Sequence, residues 1–198
     1  MSIQGELVTL RPVVAADLPA IVRWGKDPEI RRLMDGSLPD SAAAAAAWLN
    51  EARSSHQRQV FAIETREENR QFIGIIELDH IAWRSGQAEL RVCIGEPSYW
   101  NRGYGRDAVR AFLADRFSHT RLSLIYLRVY TFNQRAVRCY RHCGFQSVGY
   151  LRRSSRSGPR SVLLMEAARS LGRATEPSAV TASRVPGAAA PDAEAQGA

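Results

Sequence analysis

The sequence predicts a mixed α/β domain with a mostly antiparallel central sheet flanked by helices, on three observations. Short β-branched and aromatic runs alternate with segments of helical spacing. The early strands follow one another through short turns, and such connections join only antiparallel neighbours. In the middle, a glycine-rich turn carries one strand directly into a helix, as in an open sheet with a ligand site. With 198 residues, 45% of them hydrophobic and 24% charged, the chain is long enough to bury one sizeable core.

Taken in order, Leu7-Val8-Thr9-Leu10-Arg11 alternates and ends at Pro12, as a first strand does. Asp17 is placed to cap a helix that carries Leu18, Ile21, Val22 and Trp24 toward a core. Asp27-Pro28-Glu29 starts a short helix with Ile30, Leu33 and Met34. Ser41 starts another through Ala42–Ala47, Trp48 and Leu49, where the alanine run signals helix propensity. Gln59–Glu64 reads as a strand, 65–70 as a charged turn, and Phe72–His80 as a central strand. Gln87–Ile94 is the next strand, Asp107–Phe117 a helix, and Leu122–Tyr130 a strand. Asn133 opens a helix to about Cys143, with Gly144 where a left-handed terminator belongs. Phe145–Arg152 and Ser161–Glu166 form the last pair of strands around a turn at Arg156–Pro159. Its arginines (Arg152, Arg153, Arg156, Arg160) read as a solvated hairpin. Residues 1–170 are the expected domain. Residues 171–198, rich in Ala, Pro and Ser and without periodicity, are an expected disordered tail.

Lys plus Arg number 27 against 20 acidic residues, a net charge of +7. That balance fits an anionic small molecule, a nucleic acid or an acidic partner and does not choose among them. There is no aromatic–basic RNA motif or recognition-helix pattern, so no nucleic acid is expected. No run reaches the roughly 18 apolar residues of a membrane span, and no charged-then-apolar leader opens the sequence, so no membrane partner is expected. The three cysteines, Cys93, Cys139 and Cys143, lack metal-ligand spacing. His56, His80, His119 and His142 lack it too. The reading is a reduced, cytoplasmic protein without a metal.

The chemistry concentrates in AELRVCIGEPSYWNRGYGRDAVRA, from Ala88 to Ala111. The backbone N–H groups of Arg102, Gly103, Tyr104, Gly105 and Arg106 stand at the mouth of a helix, where unpaired donors and partial positive charge suit a pyrophosphate. The stretch is not a dinucleotide fingerprint, because its third glycine would fall at Ala108, and it is not a P-loop, because no Gly-Lys-Ser/Thr follows. A second stretch, NQRAVRCYRHCGF, follows about thirty residues later with Asn133, Ala136, Tyr140, Gly144 and Phe145.

Together the two stretches resemble the GNAT superfamily of acetyl-CoA-dependent N-acetyltransferases. WNRGYG matches the family's pyrophosphate signature at both glycines, with Trp100 where Gln or Arg is usual. The Asn133-to-Phe145 stretch matches the second signature at every named position. The resemblance runs from about Leu7 to Ala167. Trp100, the opening LRPVVAADLPAIVRW and the Asp27–Ile30 box look like the branch of ribosomal-protein N-terminal alanine acetyltransferases, which shades into antibiotic and polyamine acetyltransferases.

The resemblance implies splayed central strands and acetyl-CoA as co-substrate. Arg102–Arg106 would hold the pyrophosphate, and Val92, Cys93 and Ile94 would pair with the pantetheine arm as with an added strand. Asn133 would hold the arm from the other side. Tyr140 is the expected acid for the departing thiolate. Glu89, two strand steps before Cys93 on the same face, is the expected base, with Glu77 as second choice. Cys93 reads as a small core residue and not a nucleophile, and Cys139 and Cys143, at i and i+4, as packing residues. Trp24, Trp48 and Trp83 read as packing residues before acceptor contacts.

The expected function is acetyl transfer from acetyl-CoA to a primary amine, by direct attack in a ternary complex. The acceptor is a protein N-terminus, a polyamine or an aminoglycoside. Asp17, Asp27, Glu29 and Asp35 either meet a cationic acceptor or mark helix starts. A homodimer is left open. The alternative is a non-catalytic acyl-CoA-binding sensor.

Overall fold

The computed structural model describes residues 2–153 and 160–169. Strands β1 (Ile3–Gln4) and β2 (Val8–Pro12) open the chain as a hairpin. A 3-10 turn at Ala15–Asp17 leads into helices α1 (Leu18–Lys26), α2 (Pro28–Met34) and α3 (Ala42–Ser54). Strands β3 (Gln59–Thr65), β4 (Phe72–Ala82) and β5 (Gln87–Ile94) form a meander. Then come α4 (Tyr104–His119), β6 (Leu124–Tyr130), α5 (Gln134–His142), β7 (Gln146–Arg153) and β8 (Arg160–Ala168). The expected tail and the Arg156–Pro159 turn lie outside the described residues.

The helix starts follow their caps. The Asp27 carboxylate accepts from the Glu29 and Ile30 N–H groups at 2.9 Å, and Ser41 Oγ accepts from the Ala44 N–H at 3.2 Å. Asp17 does not cap α1 as expected. Its carboxylate receives a bidentate Arg11 guanidinium at 2.8 and 2.9 Å and the Val14 N–H at 2.9 Å. A charge-assisted pair with β2 takes the oxygens that a cap would use. One strand was not expected, and two element starts moved by two residues or more. Two-residue β1 has no periodicity to read. β6 begins at Leu124, because the Ser123 and Leu124 N–H groups both turn to the Gly86 carbonyl. α4 begins at Tyr104, because the glycine turn is itself the helix entrance.

The eight strands, in the order β1-β2-β3-β4-β5-β6-β8-β7, form one sheet that is antiparallel throughout except for β5 beside β6. Helices α4 and α5 bury Val109, Phe112, Val137 and Tyr140 on one face, against Ile76, Leu90, Leu127 and Met165. Helices α1–α3 bury Ile21, Trp24, Ile30 and Trp48 on the other, against Ala62, Ile75 and Cys93. Trp24 and Trp48 are core residues, 2% and 8% exposed, whereas Trp83 is exposed.

Asp107, in the first turn of α4, fixes that helix to the sheet edge. Its carboxylate accepts from the Glu6, Leu7 and Val8 N–H groups at 3.0, 2.7 and 3.0 Å. Asp107→Ala is expected to cost about 2–4 kcal/mol, since three charge-assisted bonds disappear together and leave β-turn donors unpaired. Thermal unfolding followed by circular dichroism checks this, and a melting temperature within about 2 °C of the parent would refute it.

Candidate functional site

The site is a consequence of the one parallel pair. β5 and β6 are in register only at Gln87–Leu124, Ala88–Ile125 and Glu89–Tyr126. Beyond that point β5 runs on to Ile94 and β6 to Tyr130 without pairing to each other, so the sheet opens as a wedge between them. Unpaired strand edges need a partner, and an extended ligand chain supplies one.

A cavity of about 390 Å³ lies along the unpaired end of β5, between it and helices α2, α4 and α5. Val92, Cys93 and Ile94 of β5 line it, with Gly103, Gly105 and Arg106 at the start of α4, and Asn133, Ala136 and Tyr140 from α5. Gly103 is the N-cap of α4 at φ +92°, a conformation that glycine adopts at little cost. The next N–H to bond inside the helix is that of Asp107, to the Gly103 carbonyl at 3.0 Å. The Tyr104, Gly105 and Arg106 donors are therefore left for a ligand. At Gly105 an added Cβ would lie 3.5 Å from Ile94 Cγ1, so the helix entrance sits directly against the end of β5.

Two of the expected donor-site residues, Arg102 and Tyr104, do not line the cavity. The Tyr104 ring is buried away from the cavity, with its hydroxyl donating to Glu67. The Arg102 guanidinium lies over the Tyr99 and Tyr104 rings at 5.5 and 5.6 Å. Asn133 caps α5, its Oδ1 accepting from the Ala136 N–H at 3.3 Å, which leaves its amide N–H groups for a ligand.

Tyr140 is 9% exposed and stacks edge-on with Phe145 at 5.8 Å. Burial pushes its phenol well above the ordinary range, so it stays protonated at neutral pH. Cys93 is 5% exposed, and burial raises its thiol to about 12, which suits a packing residue and not a nucleophile.

The two glutamates stand apart from the cavity lining. Both Glu89 oxygens are engaged by Arg128, from Nε at 2.9 Å and Nη2 at 2.6 Å, at the point where β5 and β6 part. Glu77 is 5% exposed and receives Arg58 Nη2 at 2.9 Å, while burial drives its carboxyl upward. Each carboxylate is thus held by an arginine from outside its own strand. Among the four acidic residues of the first helices, Asp27 caps α2 and Asp17 pairs with Arg11, and neither lines the cavity.

Sequence reasoning missed several lining groups. Ile30, Leu33 and Met34 of α2 close the wedge from the opposite face. Arg135 stacks on the Trp100 indole at 3.7 Å, and that indole donates to the Ile94 carbonyl at 2.7 Å, so the pair clasps α5 to the end of β5. Arg138, Cys139 and His142 line the far end. The α5 residues were within reach, because they flank Asn133, Ala136 and Tyr140 at helical spacing. The α2 residues were not, since only the tertiary fold brings α2 to β5.

The arrangement fits an acyl-CoA: converging N–H donors for a pyrophosphate, a free strand edge for an amide-bearing arm, and a protonated phenol at the end of the channel. Comparison with known proteins agrees. The chain is 26% identical over 150 residues to a SPbeta prophage-derived uncharacterised N-acetyltransferase of Bacillus subtilis, covering 75% of this chain and 81% of that protein. Its fold matches the spermidine N-acetyltransferase from Vibrio cholerae in complex with CoA and spermine, with a TM-score of 0.75 and 24% identity over 83% of this chain and 96% of that one. A chimera of the Vibrio cholerae enzyme matches with a TM-score of 0.73 and 26% identity over 85% of this chain and all of that one. Residues 8–146 match the acetyltransferase (GNAT) domain family. The match covers well over half of the chain, and the splayed sheet is its structural counterpart: the protein belongs to the GNAT acetyltransferase family and is an acetyl-CoA-dependent acyltransferase.

Proposed function

We propose that the protein transfers an acetyl group from acetyl-CoA to a primary amine by direct attack in a ternary complex. The observation that carries this reading is the wedge between β5 and β6, whose lining unites the α4 N–H donors, the free edge of β5 and Tyr140 in one cavity. The Tyr104–Arg106 N–H groups, with Arg106, hold the pyrophosphate. The β5 edge at Val92–Ile94 and the Asn133 amide hold and orient the pantetheine arm. Backbone N–H groups of that edge face the thioester carbonyl as negative charge grows on its oxygen. Tyr140 gives its proton to the leaving sulfur.

The amine approaches past Ile30, Leu33 and Met34, which line the cavity together with Cys93. It must arrive neutral, because an ammonium has no lone pair. Glu89 serves as the anchor of the wedge apex through Arg128, and the amine's proton leaves to water. Glu89→Gln is therefore expected to lower kcat by less than about tenfold and to leave the acid limb of its pH profile in place. A directly acting base would cost about 100- to 10,000-fold and abolish that limb.

The acceptor class is tested by thiol release from acetyl-CoA against N-terminal peptides, spermidine, an aminoglycoside and free amino acids. Ribosomal-type N-terminal peptides represent the branch that the sequence resembles, and spermidine represents the structural neighbours. Turnover with one class is expected. Tight acetyl-CoA binding without release in any arm would overturn catalysis and leave a sensor.

A further inference from the structure

Cys139 and Cys143 are the two cysteines for which the acetyl-transfer chemistry has no use, and although Cys143 packs against the core, their contacts go beyond packing. Both are half-buried, in contrast to Cys93. Cys139 lines the donor cavity, beside Arg106 and His142. Cys143, one turn later on the same face, donates its thiol to the Arg106 carbonyl at 3.6 Å. Arg110 closes the cluster from α4, its Nη2 donating to the His142 carbonyl at 3.0 Å.

Two thiols thus sit between the end of α5 and the helix entrance that we assign to the pyrophosphate. We propose that Cys139 and Cys143 are an oxidisable dithiol in the wall of the donor site, converted by peroxide to an intrachain disulfide that weakens acetyl-CoA binding.

The reaction balances with peroxide as the oxidant. The Cys139 thiolate attacks a peroxide oxygen, the O–O bond breaks, and Cys139 becomes a sulfenic acid while hydroxide leaves. The Cys143 thiolate then attacks that sulfur and displaces the second hydroxide. With the two thiol protons these hydroxides form two waters, and both sulfurs have been oxidised by one electron each.

Cys139 is the attacking group for physical reasons. The neighbouring Cys143 thiol and the Arg106 and Arg110 charges hold the Cys139 thiol below its usual range, whereas the Cys139 neighbour and burial push that of Cys143 up. Neighbouring cysteines at i and i+4 in a regular helix stand about 5–6 Å apart at Cβ, too far for a relaxed disulfide. Here the partner lies just past α5, at φ −95° and ψ 6°, and Gly144 follows at φ +91°. The bridge therefore draws in the last turn of α5, where the Cys143 N–H bonds to the Cys139 and Tyr140 carbonyls, breaks the Cys143–Arg106 contact and shifts the α4 entrance.

The test treats the full-length protein with hydrogen peroxide, counts free thiols by maleimide labelling and intact mass, and titrates acetyl-CoA by calorimetry before and after. Thiols are expected to fall from three to the buried Cys93 alone, with a chain lighter by two hydrogens, and dithiothreitol should reverse the change. Cys143→Ser should stop at a sulfenic acid trapped by dimedone, and Cys139→Ser should block the fast reaction. Oxidation should weaken acetyl-CoA binding by about tenfold or more, and saturating acetyl-CoA should in turn shift the dithiol–disulfide equilibrium toward the dithiol, because linkage is reciprocal.

Three free thiols after peroxide, thiol loss in Cys139→Ser at the parent rate, or unchanged acetyl-CoA affinity in the disulfide form would each overturn the proposal. The effect on binding rests on the proposed donor site, whereas the thiol count does not. Failure of the reduced protein to bind acetyl-CoA would therefore refute the donor assignment separately.

Discussion

Tyr140→Phe is expected to lower kcat by about 100- to 1000-fold while acetyl-CoA affinity stays within about twofold, the range for loss of one positioned proton donor. The substitution removes a single oxygen. The ring keeps its contact with Phe145 and its place between α5 and the sheet, so folding and donor binding have no reason to change. The raised phenol matters here: at neutral pH Tyr140 is a proton source and not a phenolate. Rapid-quench kinetics with acetyl-CoA, paired with calorimetry, separates the chemical step from binding. Parent-like turnover in the variant would remove Tyr140 as the acid, and an equal loss in affinity and rate would make it a binding residue.

Gly105→Val is expected to weaken acetyl-CoA binding by about 100-fold or more, and should do so without unfolding the protein. A bare Cβ at this position makes an ordinary contact with Ile94 and is tolerated. The two further methyl groups of valine extend from that Cβ at a residue that lines the cavity, beside the α4 N–H donors. They hold the pyrophosphate away from groups whose value falls off within the first helical turn. Gly105→Ala separates strain from occlusion and should retain most of the affinity. Calorimetric titration of the two variants checks this, with circular dichroism confirming the fold. A valine variant that binds acetyl-CoA normally would remove the helix entrance from the donor site.

Much of the architecture was legible because short-range rules governed it. Gln87–Ile94 was read with its observed bounds, and Asn133, Gly144, Ser41 and Asp27 marked helix ends that the structure keeps. Spacing along one element does not show where a distant partner engages a group. Asp17 would cap α1 in isolation, but Arg11 reaches it from β2. Glu89 sits at the spacing of a base, but Arg128 on the neighbouring strand holds both of its oxygens. Cys139 and Cys143 read as packing residues on a helix, and only the proximity of α4 gives them a charged setting. Spacing along one element says which residues share a face and nothing about what the facing element carries.

The sequence by itself determined the two halves of the site: a glycine entrance that frees backbone N–H groups, and a helix carrying Asn133 and Tyr140 on one side. Both follow from backbone conformation and helical period, which are local properties. The tertiary structure alone decided that the parallel pairing of β5 and β6 stops after Glu89 and Tyr126, that α2 closes the resulting wedge, and that Arg128 pins its apex. Those are relations between strands and helices far apart in the chain, and they depend on how two sheet halves diverge under packing from both faces.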